Sequence, residues 1–244
     1  MALTLATTTP GEPEIFASVQ GEGPSAGAPC TFIRLSRCNL ACVWCDTAYT
    51  WHFEGDNRPH RSTETFDRKA NQVTLDEADV ARRITDLGQR RLIITGGEPL
   101  LQAPGLAALL ELLPDMTVEV ETNGTTSAPS RLDIRIDQYN VSPKLAHSGN
   151  PAELALIAER LEHYAAEPRA FFKFVVARPA DVAEVADLVS EHAIPRSQVF
   201  LMPEGTDSEA LRAREKWLVG ECLQHGFQLS DRLHIHLFGD TRGT

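Results

Sequence analysis

Positive charge is scarce in this 244-residue chain: 23 lysines and arginines stand against 34 aspartates and glutamates, a formal net charge of −11 at pH 7. Nonspecific nucleic-acid binding needs clustered cations to neutralise phosphates, so this balance argues against it. No apolar run approaches the length of a membrane span, and no basic, apolar leader precedes TTTPGEPEIF. Cysteine is sparse as well. Of five residues, Cys30 and Cys222 offer no disulfide framework, so a reducing cytoplasm is the expected location. Internal repeats and low-complexity tracts are missing too. What is present, 42% hydrophobic and 23% charged residues, fits one large α/β domain over residues 1–244 acting on a small molecule.

The other three cysteines are crowded together. Cys38, Cys42 and Cys45 form Cys-x3-Cys-x2-Cys in CNLACVWCD. A structural zinc takes four protein ligands, whereas an iron–sulfur cubane held by three thiolates keeps one iron open to a small molecule. The competing readings are zinc completed by Asp46 or His52, or oxidised cysteines.

Short β-rich runs alternate with helical patterns, the mark of mainly parallel β/α construction. TFIRLS, RLIITG, TVEVETN, QYNVS, AFFKFVVA, QVFLMP and LHIHLF read as strands. Thr74 and Glu77 resemble a capping box ahead of Val80, Ile84 and Leu87. Asn150, Pro151 and Glu153 open a helix carrying Leu154, Ile157, Leu161 and Tyr164 on one face. Thr206 and Glu209 open another through Trp217 and Leu218, with Gly226 as its stop and Cys222 in the core. Residues 52–72 are polar and rich in turn formers, a long loop or small insertion.

Ligands bind beyond the carboxyl ends of parallel strands. The cysteine loop follows one such end, and Thr95, Gly96, Gly97, Glu98 and Pro99 follow another as TGGEP. Glycines there let backbone approach a ligand, and Glu98 can oppose an ammonium group. Alone, GGEP is equally an ordinary turn.

Combined with the cysteines, these residues resemble the radical S-adenosylmethionine (SAM) superfamily. SVQGEGPSAGAPCTFIRLSRCNLACVWCDT, ITGGEPLLQ, VEVETNGT, NVSPK and HIHLFGD are further similar, from Glu14 to Asp240, to the 7-carboxy-7-deazaguanine synthase family. The resemblance implies an abbreviated partial (β/α) barrel, usually homodimeric. It implies a four-iron four-sulfur cluster, SAM and Mg2+ as cofactors, and a reductant such as flavodoxin or ferredoxin. It also implies conversion of 6-carboxy-5,6,7,8-tetrahydropterin into 7-carboxy-7-deazaguanine with loss of ammonia, on the route to queuosine and other 7-deazapurines.

Residue by residue, the resemblance implies Cys38, Cys42 and Cys45 as cluster ligands and Thr47 as a magnesium ligand. It implies a SAM pocket of Trp44, Cys45, Asp46, Gly97, Glu98, Ser142, Pro143, Lys144, Met202 and Glu204. Val19, Gln20, Gly21, Glu22, Arg34, Thr95, Glu121 and His236 are the implied substrate contacts. A carboxylated pterin presents one anion and a donor-rich edge, which Arg34 and Glu121 match in charge. Arg34 stands inside an apolar strand, where an unpaired guanidinium is costly if buried. Glu119 shares the face of Glu121 by the period of two, and His234 shares that of His236 in LHIHLF, the pattern of a metal pair or, more plainly, of a satisfied histidine near the pocket.

Each residue has a plainer alternative: Lys144 a solvated charge, Thr47 a turn cap, Trp44 a core edge, Arg34 an outward strand residue. The tail GDTRGT departs from the shorter, proline-ended tail of some relatives, and the 52–72 loop is longer than the minimal pattern. A glycyl-radical-enzyme activase shares the cysteine loop and GGEP but not the QGEG, Arg34 and ETNG set. A zinc-binding interaction module explains the cysteines alone.

Overall fold

The computed structural model describes residues 2–244 and is built on one open, eleven-stranded sheet. The strands are β1 (Ala2–Thr9), β2 (Glu12–Pro13), β3 (Ile15–Val19), β4 (Pro29–Leu35), β5 (Gln72–Asp76), β6 (Arg91–Gly96), β7 (Thr117–Thr122), β8 (Gln138–Val141), β9 (Ala170–Val176), β10 (Val199–Pro203) and β11 (Gln228–Leu229). Their order is β11-β10-β9-β8-β7-β6-β4-β1-β2, with β3 beside β4 and β5 beside β1. From β4 to β11 neighbouring strands run parallel. The N-terminal strands join antiparallel. This is the mostly parallel, unclosed sheet of a partial barrel.

Alternation along the strands explains how such a sheet carries a site. Ile33 and Leu35, Leu92 and Ile94, Val118 and Val120, Tyr139 and Val141, Phe172 and Phe174 share one face, all almost wholly buried. Helices Glu77–Asp86, Ala103–Glu111 and Pro179–Glu191 cover that face with Val80, Ile84, Leu106, Leu110, Val182 and Val185. Each fully buried Leu or Phe contributes about 2 kcal/mol by its removal from water. The intervening residues Arg34, Thr95, Glu121, Asn140 and Lys173 point the other way, because successive strand side chains alternate. Apolar packing therefore holds one face while the other is free for polar chemistry.

Six of the seven expected strands form. The seventh, LHIHLF, is the helix Leu233–Phe238, with Ile235 buried beneath it. Six residues of alternating character fit either period. Strands β1 and β5, which the patterning did not single out, pair over five residue positions, so Thr74 lies in a strand opposite Thr4. The cap of the following helix is Asp76, whose side chain accepts from Asp79 N at 2.8 Å. The helix expected after Asn150 is broken at Leu156 into Ala152–Ala155 and Ala158–Ala165, leaving Leu154 exposed. The helix Ser208–His225 does stop at Gly226, in the left-handed conformation at φ 70°, and Cys222 is buried. Of residues 52–72, the loop proper ends at Asp67. A helical turn, Arg68–Asn71, then leads into β5.

Candidate functional site

One cavity of about 410 Å3 opens beyond the carboxyl ends of the parallel strands. Cys38, Cys42, Trp44, Cys45, Asp46 and Thr47 line it from the loop after β4, Gly97 from the turn after β6, Ser142 and Lys144 from the segment after β8, and Met202 from β10. Val19, Gln20, Gly21, Glu22, Arg34, Thr95 and Glu121 line it as well. Residues distant in sequence thus meet in one space.

The glycines of TGGEP bring backbone against backbone. A Cβ on Gly97 would lie 2.1 Å from the Arg37 carbonyl oxygen and 3.0 Å from Cys38 Cβ, and one on Gly96 would lie 2.0 Å from the Leu35 oxygen. Gly97 N–H donates to Leu35 O at 3.0 Å, and Glu98 N–H to Arg37 O at 2.9 Å. The close approach expected toward a ligand is made to the cysteine loop itself.

Glu98 does not reach the cavity. Fully buried, it accepts from Leu100 N, Asn123 N and the Thr122 hydroxyl, at 2.7 to 3.0 Å. Burial pushes its carboxyl above the ordinary range. Its acceptor positions are taken by protein donors, so it staples the β6 turn to the end of β7 instead of facing an ammonium group. Pro143 is also buried off the cavity lining, between two residues that do line it. Glu204 pairs with Arg61 at 2.8 Å and Arg214 at 3.1 Å, beside a small adjoining recess that it shares with Trp44, Asp46 and Met202.

The three thiols suit a cluster better than a single ion. Among the described residues, the one group of at least three His, Cys, Asp or Glu ligand atoms lying within 4.8 Å of one another is Glu215, Asp231 and His236. At least one pair of the three sulfurs is therefore more than 4.8 Å apart, wider than in a tetrahedral zinc site, where Zn–S bonds of about 2.3 Å place the sulfurs about 3.8 Å apart. A cubane presents a separate iron to each thiolate. Amide donors reach two of them: Asn150 Nδ2 lies 3.3 Å from Cys42 Sγ and Asn123 Nδ2 3.9 Å from Cys38 Sγ. Hydrogen bonds to sulfur are among the protein's controls on such clusters. Burial pushes the Cys38 thiol up to about 12 and the Cys45 thiol to about 11, so thiolates here need the positive charge of bound iron. Close by, Trp44 stacks on His147 with ring centres 5.4 Å apart, and its buried Nε1–H has no protein partner. That indole is a donor suited to a bound cofactor.

The opposite wall is a chain of paired charges. Arg34 Nε donates to the fully buried Glu14 at 2.8 Å, and the Tyr49 hydroxyl donates to the same carboxylate at 2.9 Å. Glu121 accepts from Gln20 Nε2 at 3.2 Å and from the Thr95 hydroxyl at 2.9 Å. Gln20 in turn accepts from Gly21 N and Glu22 N. Glu22 is bonded to Lys173 and lies 3.2 Å from Arg232. Burial pushes its carboxyl up, but Lys173, Arg232 and His234 outweigh burial and hold it well below the ordinary range. Asp46 behaves likewise: burial raises it, and Arg232 more than compensates. Thr47 Oγ1 sits 3.5 Å from Cys45 Sγ.

His236 turns away from this wall. It bonds Ser208 at 2.6 Å and lies 3.1 Å from Asp231 and 3.2 Å from Glu215, while His234 lines the cavity 3.8 Å from Glu22. On a helix, residues two apart diverge by about 200°, so the two histidines cannot share the face that a strand would give them. His234 replaces His236 as the histidine at the cavity.

Sequence reasoning also missed Glu14, Tyr49, Asn150, Lys173, Arg232 and the tail, of which Gly239–Thr244 all line the cavity. Lys173 had a signal. It is a lone cation in AFFKFVVA, just as Arg34 is in TFIRLS.

Comparison with known proteins agrees with this geometry. A family model for the radical SAM superfamily matches residues 32–216. A 7-carboxy-7-deazaguanine synthase of Pyrobaculum aerophilum is 37% identical over 94% of this chain and 95% of its own length, and one of Hyperthermus butylicus is 36% identical over 91% and 90%. The crystal structure of QueE from Escherichia coli matches with a TM-score of 0.66 at 26% identity, covering 95% of each chain. Streptococcus suis SuiB, at 14% identity and a TM-score of 0.53, shares the fold alone. The chain belongs to the radical SAM superfamily and, within it, to the 7-carboxy-7-deazaguanine synthase family.

Proposed function

We propose that this chain converts 6-carboxy-5,6,7,8-tetrahydropterin into 7-carboxy-7-deazaguanine with release of ammonia, in 7-deazapurine biosynthesis. The observation that carries this reading is the pairing, in one cavity, of a three-cysteine wall with a wall holding both Arg34 and Glu121. When bound, the four-iron four-sulfur cluster and SAM supply the one-electron chemistry that removes hydrogen from an unactivated carbon.

The chain's residues bind, orient and shield. Cys38, Cys42 and Cys45 hold the cluster, while Asn150 and Asn123 steady two of the sulfurs. Trp44, Cys45, Asp46, Gly97, Ser142, Lys144 and Met202 hold SAM, with Glu98, Pro143 and Glu204 shaping its pocket from behind. Arg34 meets the pterin carboxylate. Glu14 occupies its Nε and leaves the terminal amino groups for bidentate contact. Glu121 accepts from the donor edge of the ring, positioned by Gln20 and Thr95. Val19, Gly21, Glu22 and His234 line the remaining substrate surface. Thr47 would offer magnesium one hard oxygen, the ligand type that ion prefers.

The reading includes a cytoplasmic homodimer, one domain over residues 1–244, and a flavodoxin or ferredoxin as reductant. No helix of the described residues is long and apolar enough to cross a membrane. The test is anaerobic incubation of reconstituted protein with carboxytetrahydropterin, SAM, reductant and magnesium, followed by mass analysis. The expected result is a product lighter by one ammonia, with SAM regenerated. SAM cleavage without any change in the pterin would reject the substrate assignment.

A further inference from the structure

We propose that Lys173 and Glu121 together read the 2-amino-4-oxo edge of the pyrimidine ring, the Lys173 ammonium donating to the ring oxygen and the Glu121 carboxylate accepting from the adjacent N–H and amino group. The assignment rests on the pterin reading above and adds a specificity residue to it.

Lys173 lies in the middle of β9 between Phe172 and Phe174, whose side chains belong to the apolar core. Alternation therefore turns its own side chain onto the polar face, where it lines the cavity at 8% exposure. An ammonium so buried needs partners. Glu22 holds it by a direct hydrogen bond, whereas Glu121 Oε1 stands 3.8 Å away. That separation gives attraction between the charges but is too long for a hydrogen bond. Donor and acceptor thus stand side by side without consuming each other.

Both groups have capacity left. The ammonium has three donors, of which Glu22 takes one. The Glu121 carboxylate has about four acceptor sites, of which Gln20 and Thr95 take one each. A 2-amino-4-oxopyrimidine presents, along one edge, an acceptor oxygen, a donor N–H and a donor amino group. A cation beside a carboxylate is the complement of that edge, by the chemistry that pairs lysine with a guanine oxygen and carboxylates with an exocyclic amine. Strand order completes the picture. Arg34 on β4 and Lys173 on β9 each lie two strands from Glu121 on β7, which places separate cations for the two ends of one flat ligand.

The consequence is discrimination at position 4. A 2,4-diamino analogue of the carboxytetrahydropterin sets a donor against the ammonium, and a site built to satisfy one pattern rejects the other strongly. For the wild-type enzyme the 4-oxo compound is expected to exceed the 4-amino analogue in kcat/KM by roughly 100-fold or more. In Lys173→Met, kcat/KM for the 4-oxo compound should fall about 10- to 100-fold and the ratio between the compounds should fall by a similar factor, leaving the part that Glu121 contributes through the ring N–H, which the analogue lacks. Cluster absorbance and far-UV circular dichroism should stay at wild-type levels, which separates lost reading from lost structure. Lys173→Arg keeps a donor and should keep most of the discrimination. A wild-type ratio in Lys173→Met overturns the assignment. Where that variant fails to load its cluster, loss of discrimination in Lys173→Arg does the same. Wild-type protein that cleaves SAM and leaves the 4-oxo pterin unchanged refutes the reaction reading instead, before any variant is compared.

Discussion

Arg34 shows how one residue can be both structural and functional. Its Nε neutralises Glu14, which is wholly buried, so removing the guanidinium strands a carboxylate in the interior. Arg34→Met is expected to cost about 3 kcal/mol of stability, from breaking a buried pair, and to raise KM for the carboxylated substrate at least tenfold. Arg34→Met with Glu14→Gln should recover most of the melting temperature and none of the KM, which thermal melts and steady-state kinetics on the two variants will show. Glu22 adds a pH dependence. Its folded carboxyl lies below the ordinary 4.5, so the stability it contributes is present above that pH and is lost as pH falls through the lower, folded value. Its partner Lys173 is raised above 10.5 despite burial, because Glu121 and Glu22 flank it, so its share persists until pH rises through that higher value. Melting temperature should be level in between and drop below about pH 4.5, and Glu22→Gln should flatten the acid limb.

At the scale of elements, the turn after β6 and the loop after β4 are one unit, because the glycines of the first admit the backbone of the second. Gly97→Ala forces a Cβ onto the Arg37 carbonyl and beside Cys38. The expected outcome is loss of iron from the purified protein, read as iron per chain and visible absorbance, with far-UV circular dichroism little changed. The parallel strands were legible from sequence because each is a run of β-branched and aromatic residues bounded by turn formers, as in RLIITG. LHIHLF was misread because six alternating residues serve a helix as well as a strand; on the helix the two histidines diverge, and His236, the one the family resemblance implied, is the one that faces away from the cavity. Asn150 was read only as a helix opener. Its side chain reaches back to the cysteine loop, a contact across 109 positions to Ala41 that no local pattern encodes. Lys173 was passed over although it broke the same apolar rhythm that drew attention to Arg34.

For the molecule as a whole, the sheet divides labour between its faces: one is sealed by helices, while the other gathers charge over the cavity. The tail closes part of that cavity. The Arg242 guanidinium lies 3.6 Å from the centre of the Tyr49 ring and donates to Asn71 at 2.9 Å, tying the last residues to the same tyrosine that supports Glu14. Arg242→Ala removes a cation–π contact of about 1 kcal/mol. It should leave the melting temperature nearly unchanged while raising, severalfold, the amount of 5′-deoxyadenosine formed without pterin turnover, as quantified by chromatography.

The tether from Asn150 has one more implication. Its Oδ1 accepts from Ala41 N at 2.9 Å, and Val43 N donates to Ser148 O at 2.9 Å, so the middle of the cysteine loop is pinned by protein alone. Air that strips the inorganic sulfide and iron would then empty a socket without dismantling it. Repair becomes a matter of refilling, as quick as metal and sulfide can arrive, with no need to make the polypeptide anew.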